Sequence, residues 1–408
     1  MGGASDRGLA SVPPPPLCAS AAETLRRLAD ETGAAALASV TACDLLLERA
    51  RLMGLTFADG RSAGGACHLL PVRDGVIAAS LPRESDWELV PAWLECGPVP
   101  EGDWPQLATM VSARCAAELR DRARLLGLAV AVAVPPAAEA PPFRITGAPL
   151  AEAGAPPGAD AAPRVLDLSA LWAGPLCAHL LERCGADVIK VEHVGRPDGA
   201  RFGNAAFYAL LNQRKRSVAL DFGAPDGRRA LDALIEWADI VIEAARPRAL
   251  RQLGVDAEAI LRRRESLTWI SITGYGRDEP EGNWIAFGDD AGVAAGLTHV
   301  IRQAAGRLAF AGDAIADPLT GIRAALLAWR SWRAGGSRLI ALALADVAAA
   351  SLAEEVALRG ADEVARSFGA WWESVRGRAL PPAPTRPITG PVAALGEHNR
   401  VVLDALGS

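Results

Sequence analysis

The chain has 408 residues, half of them hydrophobic and 22% charged, with a formal net charge of −6. That balance is ordinary for a globular protein and long enough for two cores, and without a run of five basic residues it argues against nucleic-acid binding. The longest apolar run, Leu125 to Val134, is too short to span a bilayer and ends in Pro135-Pro136.

In chain order, residues 1–20 are rich in Pro and Gly and are expected to be a disordered tail without secretory-signal architecture. Ala21 to Met53 is predicted helical. Cys67 to Val72 and Gly75 to Leu81 read as two strands around a turn at Arg73-Asp74-Gly75. A helix carrying Trp87, Val90 and Trp93 follows, then another from about Trp104 to Leu126, then a strand over Gly127 to Val132. Residues 148–163 are a low-complexity linker. The seven cysteines are scattered and contain no C-x-x-C pair. They predict reduced thiols in a cytoplasmic protein and no metal site.

The segment Arg164 to Glu192 is the most informative. Val165 to Leu168 is a β-rich apolar run; Ala173-Gly174-Pro175 breaks it and opens a helix; Gly185 stops the helix; Asp187 to Glu192 returns as a strand. A crossover of this length implies parallel strands, and so an α/β fold. The free N–H groups of such a helix face the carboxyl edge of the sheet, where anions bind. Further strands are expected near 241, 271 and 341. The tail from Ser351 reads as a helix with Trp371-Trp372, a Pro-rich stretch and a final helix.

Ala173-Gly174-Pro175 followed by Cys184-Gly185-Ala186-Asp187-Val188-Ile189-Lys190-Val191-Glu192 resembles the opening of the class III CoA-transferase family, which includes carnitine and bile-acid CoA-transferases and α-methylacyl-CoA racemases. Asn212 to Asp221, Ala238 to Glu243, Ile270 to Gly276, Ala316-Asp317-Pro318-Leu319-Thr320-Gly321 and Gly396-Glu397-His398-Asn399 continue the resemblance in order. It implies a Rossmann-like parallel-sheet domain at 164–350, a smaller α+β domain at 21–147 and a helical tail at 351–408 packing on the large domain. The family normally places its small domain after the large one, so the order here is rearranged.

Asp317, standing before Pro318, reads locally as a helix N-cap. The resemblance makes it the catalytic nucleophile. In that chemistry the carboxylate attacks an acyl-CoA thioester and covalent intermediates carry CoA to an acceptor acid, with no cofactor beyond CoA as substrate. The resemblance also lays CoA across Leu171, Trp172, Ala173, His193, Leu220, Ala244, Ala245 and Arg246. Lys215 and Arg216 are candidates for its phosphates, or form a solvated basic turn. The racemase branch needs a histidine where this chain has Phe287 or Gly288, with Asp289 beside it. The implied activity is therefore CoA transfer between an acyl-CoA and a carboxylic acid, by a homodimer or a heterodimer with a homologue. A non-catalytic acyl-CoA-binding subunit and an isomerase or racemase are the alternatives.

Overall fold

The computed structural model describes residues 12–137, 141–147, 158, 161–380 and 386–407. The expected disorder of the first residues and most of the linker at 148–163 lie outside them. Two sheets organise the chain. The smaller consists of β1 (Cys67–Val72), β2 (Gly75–Ser80) and β3 (Ala129–Val132), antiparallel in the order β1-β2-β3. Its side chains alternate strictly. Leu70, Val72, Ile77, Ala79 and Val130 pack under its own helices with Trp87, Trp93 and Leu107. Cys67, Leu69, Val76, Ala78 and Ala131 face the other way, onto Val293 and Phe310 of the large domain.

The larger sheet holds seven strands: β4 (Arg144–Gly147), β5 (Arg164–Asp167), β6 (Asp187–His193), β7 (Arg216–Leu220), β8 (Ile240–Glu243), β9 (Thr268–Thr273) and β10 (Arg338–Ala343). Their order is β4-β10-β9-β8-β5-β6-β7. All neighbours are parallel except β4, which pairs antiparallel with β10 at one edge. From β5 the chain winds first to β6 and β7, then crosses back to β8, β9 and β10. This is doubly wound topology, with its switch point between β5 and β8. The fold is thus α/β with a Rossmann-like sheet and a smaller α+β part, as the sequence implied. Both faces are covered: Val165, Ile242, Ile270 and Ile340 point into one core, and Leu166, Val241, Trp269 and Leu339 into the other.

Several elements differ from expectation. The helix predicted over 21–53 is two helices, Cys18–Thr32 and Ala42–Leu52, separated where Gly33 takes φ 63°. The sequence groups them with the small domain, but Leu25, Leu28, Leu45 and Leu46 bury in the large-sheet core. The amphipathic stripe alone does not reveal which apolar surface it will cover. Cys18 and Cys43 join these two helices as a disulfide, against the expectation that all thiols are reduced. The long helix over 104–126 is broken into Trp104–Val111 and Ala116–Leu126. At the other edge of the sheet, His398 and Asn399 act as a strand substitute for β7. The Ser217 amide donates to His398 Nδ1 at 3.1 Å, and the Ala219 amide donates to Asn399 Oδ1 at 2.8 Å. This covers an open strand edge just before the final helix, Asn399–Leu406.

Candidate active site

The carboxyl ends of the parallel strands gather most of the expected CoA-contacting residues. Leu171, Trp172 and Ala173 follow β5; His193 ends β6; Leu220 ends β7 and pairs in register with His193; Ala244, Ala245 and Arg246 follow β8. The β5 and β8 loops flank the switch point. The first is held firmly. Leu171 has φ 68°, and its amide donates to Asp198 Oδ1 at 3.0 Å. Buried Lys190 pairs with the same Asp198 and donates to the Ser169 carbonyl at 2.8 Å. The helix Ala173–Arg183 starts here, with Pro175 in its first turn. In the second loop, the Ala245 amide donates to Glu243 Oε2 at 2.9 Å, leaving Ala244 and Arg246 exposed.

Lys215 and Arg216 do not join this edge, which corrects the expectation that they reach the phosphates. Lys215 is buried beneath it. Its Nζ donates to Asp167 Oδ2 at 2.8 Å, the Pro175 carbonyl at 2.9 Å and Asn212 Oδ1 at 3.1 Å, which uses all three donors. Arg216 opens β7 at the opposite, amino edge and pairs with Asp187. The basic turn seen in sequence is a structural lock and a surface pair.

Asp317 lies in the second residue of the helix Ala316–Arg333 rather than at its cap, because the chain already turns at Ala314 (φ 44°) and the Asp317 amide reaches the Ala314 carbonyl at 2.9 Å. Its carboxylate instead accepts the Gly288 amide at the start of a second helix, Gly288–Ala294. The approach is so close that a Cβ on Gly288 would lie 2.3 Å from Asp317 Oδ2. Three more aspartates surround this point. Asp289 Oδ1 accepts the Ala314 amide at 2.9 Å. Asp290 accepts from Ser80 Oγ (2.9 Å), the Phe287 amide (2.8 Å) and the Tyr275 hydroxyl (3.2 Å), tying the small sheet to the site. Asp313, 0% exposed, takes a two-pronged contact from Arg49, whose Nε donates to Oδ2 at 2.8 Å.

Burial pushes Asp317 and Asp289 up from 3.8 to about 7, while Arg49 opposes the shift in both. Burial likewise raises Asp290 to about 6, against the hydrogen bonds it receives. A carboxyl group balanced near neutrality, in a partly shielded pocket, can act as a nucleophile or exchange a proton. A cavity of about 10 Å³ lies beside Asp289, lined by Gly292, Phe310, Gly312 and Ile315 among others. The two halves of the site touch. The Arg49 guanidinium lies 5.1 Å from the Trp172 ring centre, and Gly321, one turn beyond Asp317, packs so tightly on Ala173 that a Cβ would sit 2.7 Å from its carbonyl oxygen.

The sequence singles out Asp317 and Asp289, which the structure brings together, but none of Arg49, Asp313 and Ser80, which meet the same cluster. Arg49 did carry a signal: it falls three and four residues after Leu46 and Leu45, on the apolar stripe of its helix, where an unpaired charge is out of place.

A loop-and-helix start at the switch point of a doubly wound sheet, set against a cluster of aspartates, marks the chain as an α/β protein with its candidate site at the carboxyl edge of the sheet. The chain belongs to CoA-transferase family III, whose family model matches residues 162–370, half of the chain. The small sheet therefore precedes the matched region. The chain is 32% identical over 211 residues to the succinate–glutarate CoA-transferase of Agrobacterium fabrum, covering 47% of this chain and 52% of the relative. It is 31% identical over 174 residues to an acyl-CoA transferase of Fusarium pseudograminearum (39% and 38% covered). To the formyl-CoA:oxalate CoA-transferase of Afipia carboxidovorans it is 37% identical over 120 residues (28% of each). The chain thus spans about half or less of the length of these relatives. Among solved structures, a CAIB/BAIF family protein from Brucella suis matches at 27% identity, covering 48% of this chain and 56% of that one, with a TM-score of 0.39.

Proposed function

We propose that this chain transfers CoA between an acyl-CoA and a carboxylic acid, with Asp317 as the nucleophile. The observation that carries the reading is the placement of Asp317: a carboxylate near neutrality, aligned by the Gly288 amide, on a helix packed against Ala173 of the switch-point loop. The ionised carboxylate attacks the thioester carbonyl; the C–S bond breaks, giving an acyl-aspartyl anhydride and the CoA thiolate. The thiolate attacks the aspartyl carbonyl and releases the donor acid, leaving an aspartyl-CoA thioester. The acceptor carboxylate attacks that thioester carbonyl in turn, and the returning thiolate takes the acceptor's acyl group and frees Asp317. Each step exchanges one acyl bond for another, so the chemistry asks for no cofactor beyond CoA itself.

In this reading CoA lies across Leu171–Ala173, His193, Leu220 and Ala244–Arg246, its anionic part toward the start of the helix Ala173–Arg183, whose free N–H groups favour an anion. We keep a dimer, of this chain or with a homologue, and a cytoplasmic location within the proposal. Among the described residues no helix is long and apolar enough to cross a membrane. Five unpaired cysteines favour a reducing compartment, and the Cys18–Cys43 bond bears against it. Intact-protein mass spectrometry after incubation with a panel of acyl-CoAs tests the reading. It expects an adduct of CoA mass that hydroxylamine removes and that maps to Asp317. An adduct on another residue, or none with any donor, counts against it.

A further inference from the structure

The helix Ala42–Leu52 lies outside the region that matches the family, yet it sends Arg49 into the site. Arg49 comes from the helix Ala42–Leu52 and crosses 264 positions of sequence to reach Asp313. We propose that Arg49 is a positioning residue for transfer at Asp317: it is the cation that balances the carboxylates around the nucleophile and ties them to Trp172 of the CoA loop. This rests on the transfer reading above.

The geometry fixes where the charge sits. Asp313 accepts from Nε and Nη2 along one edge of the guanidinium, and the Trp172 ring lies against the group from a second direction, which fixes the cation in place. Its charge acts on Asp313, Asp289 and Asp317 together. The other ionisable groups facing this cluster are Asp290 on the helix Gly288–Ala294, Tyr275 and Arg124 beyond it, and Cys67 on β1. Asp290 and Asp313 push the Asp317 proton on, and Arg49 pulls it off. Removing Arg49 leaves three neighbouring acids and no nearby balance to the buried Asp313. Asp317 then ionises only at higher pH, and the nucleophile is scarce at neutrality.

The test uses the full chain with Arg49→Gln and Arg49→Lys. Two readouts keep this inference separate from the transfer reading. The first is CoA transfer from succinyl-CoA to glutarate, read as the glutaryl-CoA formed and followed against pH. The second needs no substrate: the pH dependence of folding stability in each background, with and without Asp317→Asn, reports the ionisation of Asp317 by linkage. With Gln, the Asp317 transition is expected to move up by about one unit or more, cutting transfer at pH 7 by about fivefold and restoring it in alkaline buffer. With Lys, which keeps the charge, the transition stays close to that of the wild type. If Arg49→Gln does not fold, Arg49→Gln/Asp313→Asn is read against Asp313→Asn alone, so that the step between the two isolates the charge of Arg49 from that of Asp313. A wild type that forms no acceptor thioester with any donor of the acyl-CoA panel overturns the transfer reading, while a shifted stability transition still supports the role of Arg49. A folded variant lacking the Arg49 charge whose Asp317 transition matches that of its Arg49-containing reference overturns this inference.

Discussion

Gly288 is pressed against Asp317: a Cβ built on the glycine would stand 2.3 Å from the carboxylate oxygen and 2.2 Å from the Ala314 carbonyl oxygen. Two helix starts meet there backbone to side chain, and nothing larger than hydrogen fits between them. Gly288→Ala is therefore expected to lose about 1–3 kcal/mol of stability through overpacking and most of the transfer activity. Denaturant melts and a turnover assay read the two effects; a variant of wild-type stability and rate would mean that the contact is slack in solution.

The carboxyl cluster makes activity and stability respond oppositely to pH. Asp289 and Asp317 titrate near 7 in the folded protein against an ordinary 3.8. Their protonation contributes stability that is complete below the unfolded value and is lost as pH rises through about 7. Transfer, which needs the ionised Asp317, is expected to rise over that same window. The stability of the wild type relative to Asp289→Asn/Asp317→Asn should accordingly fall as pH rises toward about 7. A flat difference across that range would show that the pocket does not perturb these acids.

Lys215 and Arg216 are adjacent and predict different outcomes. Lys215 and Asp167 are almost wholly buried and pair at 2.8 Å, so Lys215→Ala strands a buried carboxylate and is expected to cost about 3–5 kcal/mol. Arg216, partly exposed on Asp187, is expected to cost no more than about 1 kcal/mol on replacement by Ala. Neither should change the salt dependence of CoA binding in calorimetry. Selective loss of low-salt affinity in the Arg216 variant would return it to the phosphate site.

Much of this architecture can be read from sequence because its signals are local. β5, β6, β8, β9 and β10 are short apolar runs bounded by turns or helix starts, and the Asp317 motif is contiguous. The rest depends on distance. β4 is four residues, RITG, with no apolar run, and exists only because β10 offers an edge. Lys215 looks like part of a basic turn until Asp167, 48 positions away, comes to lie above it. The helices at 18–52 show an apolar stripe but not the surface it will meet. Arg49 is the same case with a charge: its place is legible as an anomaly on that stripe, and its partner is not.

The most direct measurement compares wild type with Asp317→Asn. The amide keeps the size of the carboxylate and an oxygen that can accept the Gly288 amide, while removing the nucleophile. The variant is expected to fold, to bind CoA within a few-fold of the wild type in calorimetry, and to show no CoA transfer with any donor and acceptor that the wild type uses. Near-normal turnover in Asp317→Asn would contradict a covalent role for Asp317 and leave it a structural partner of Gly288.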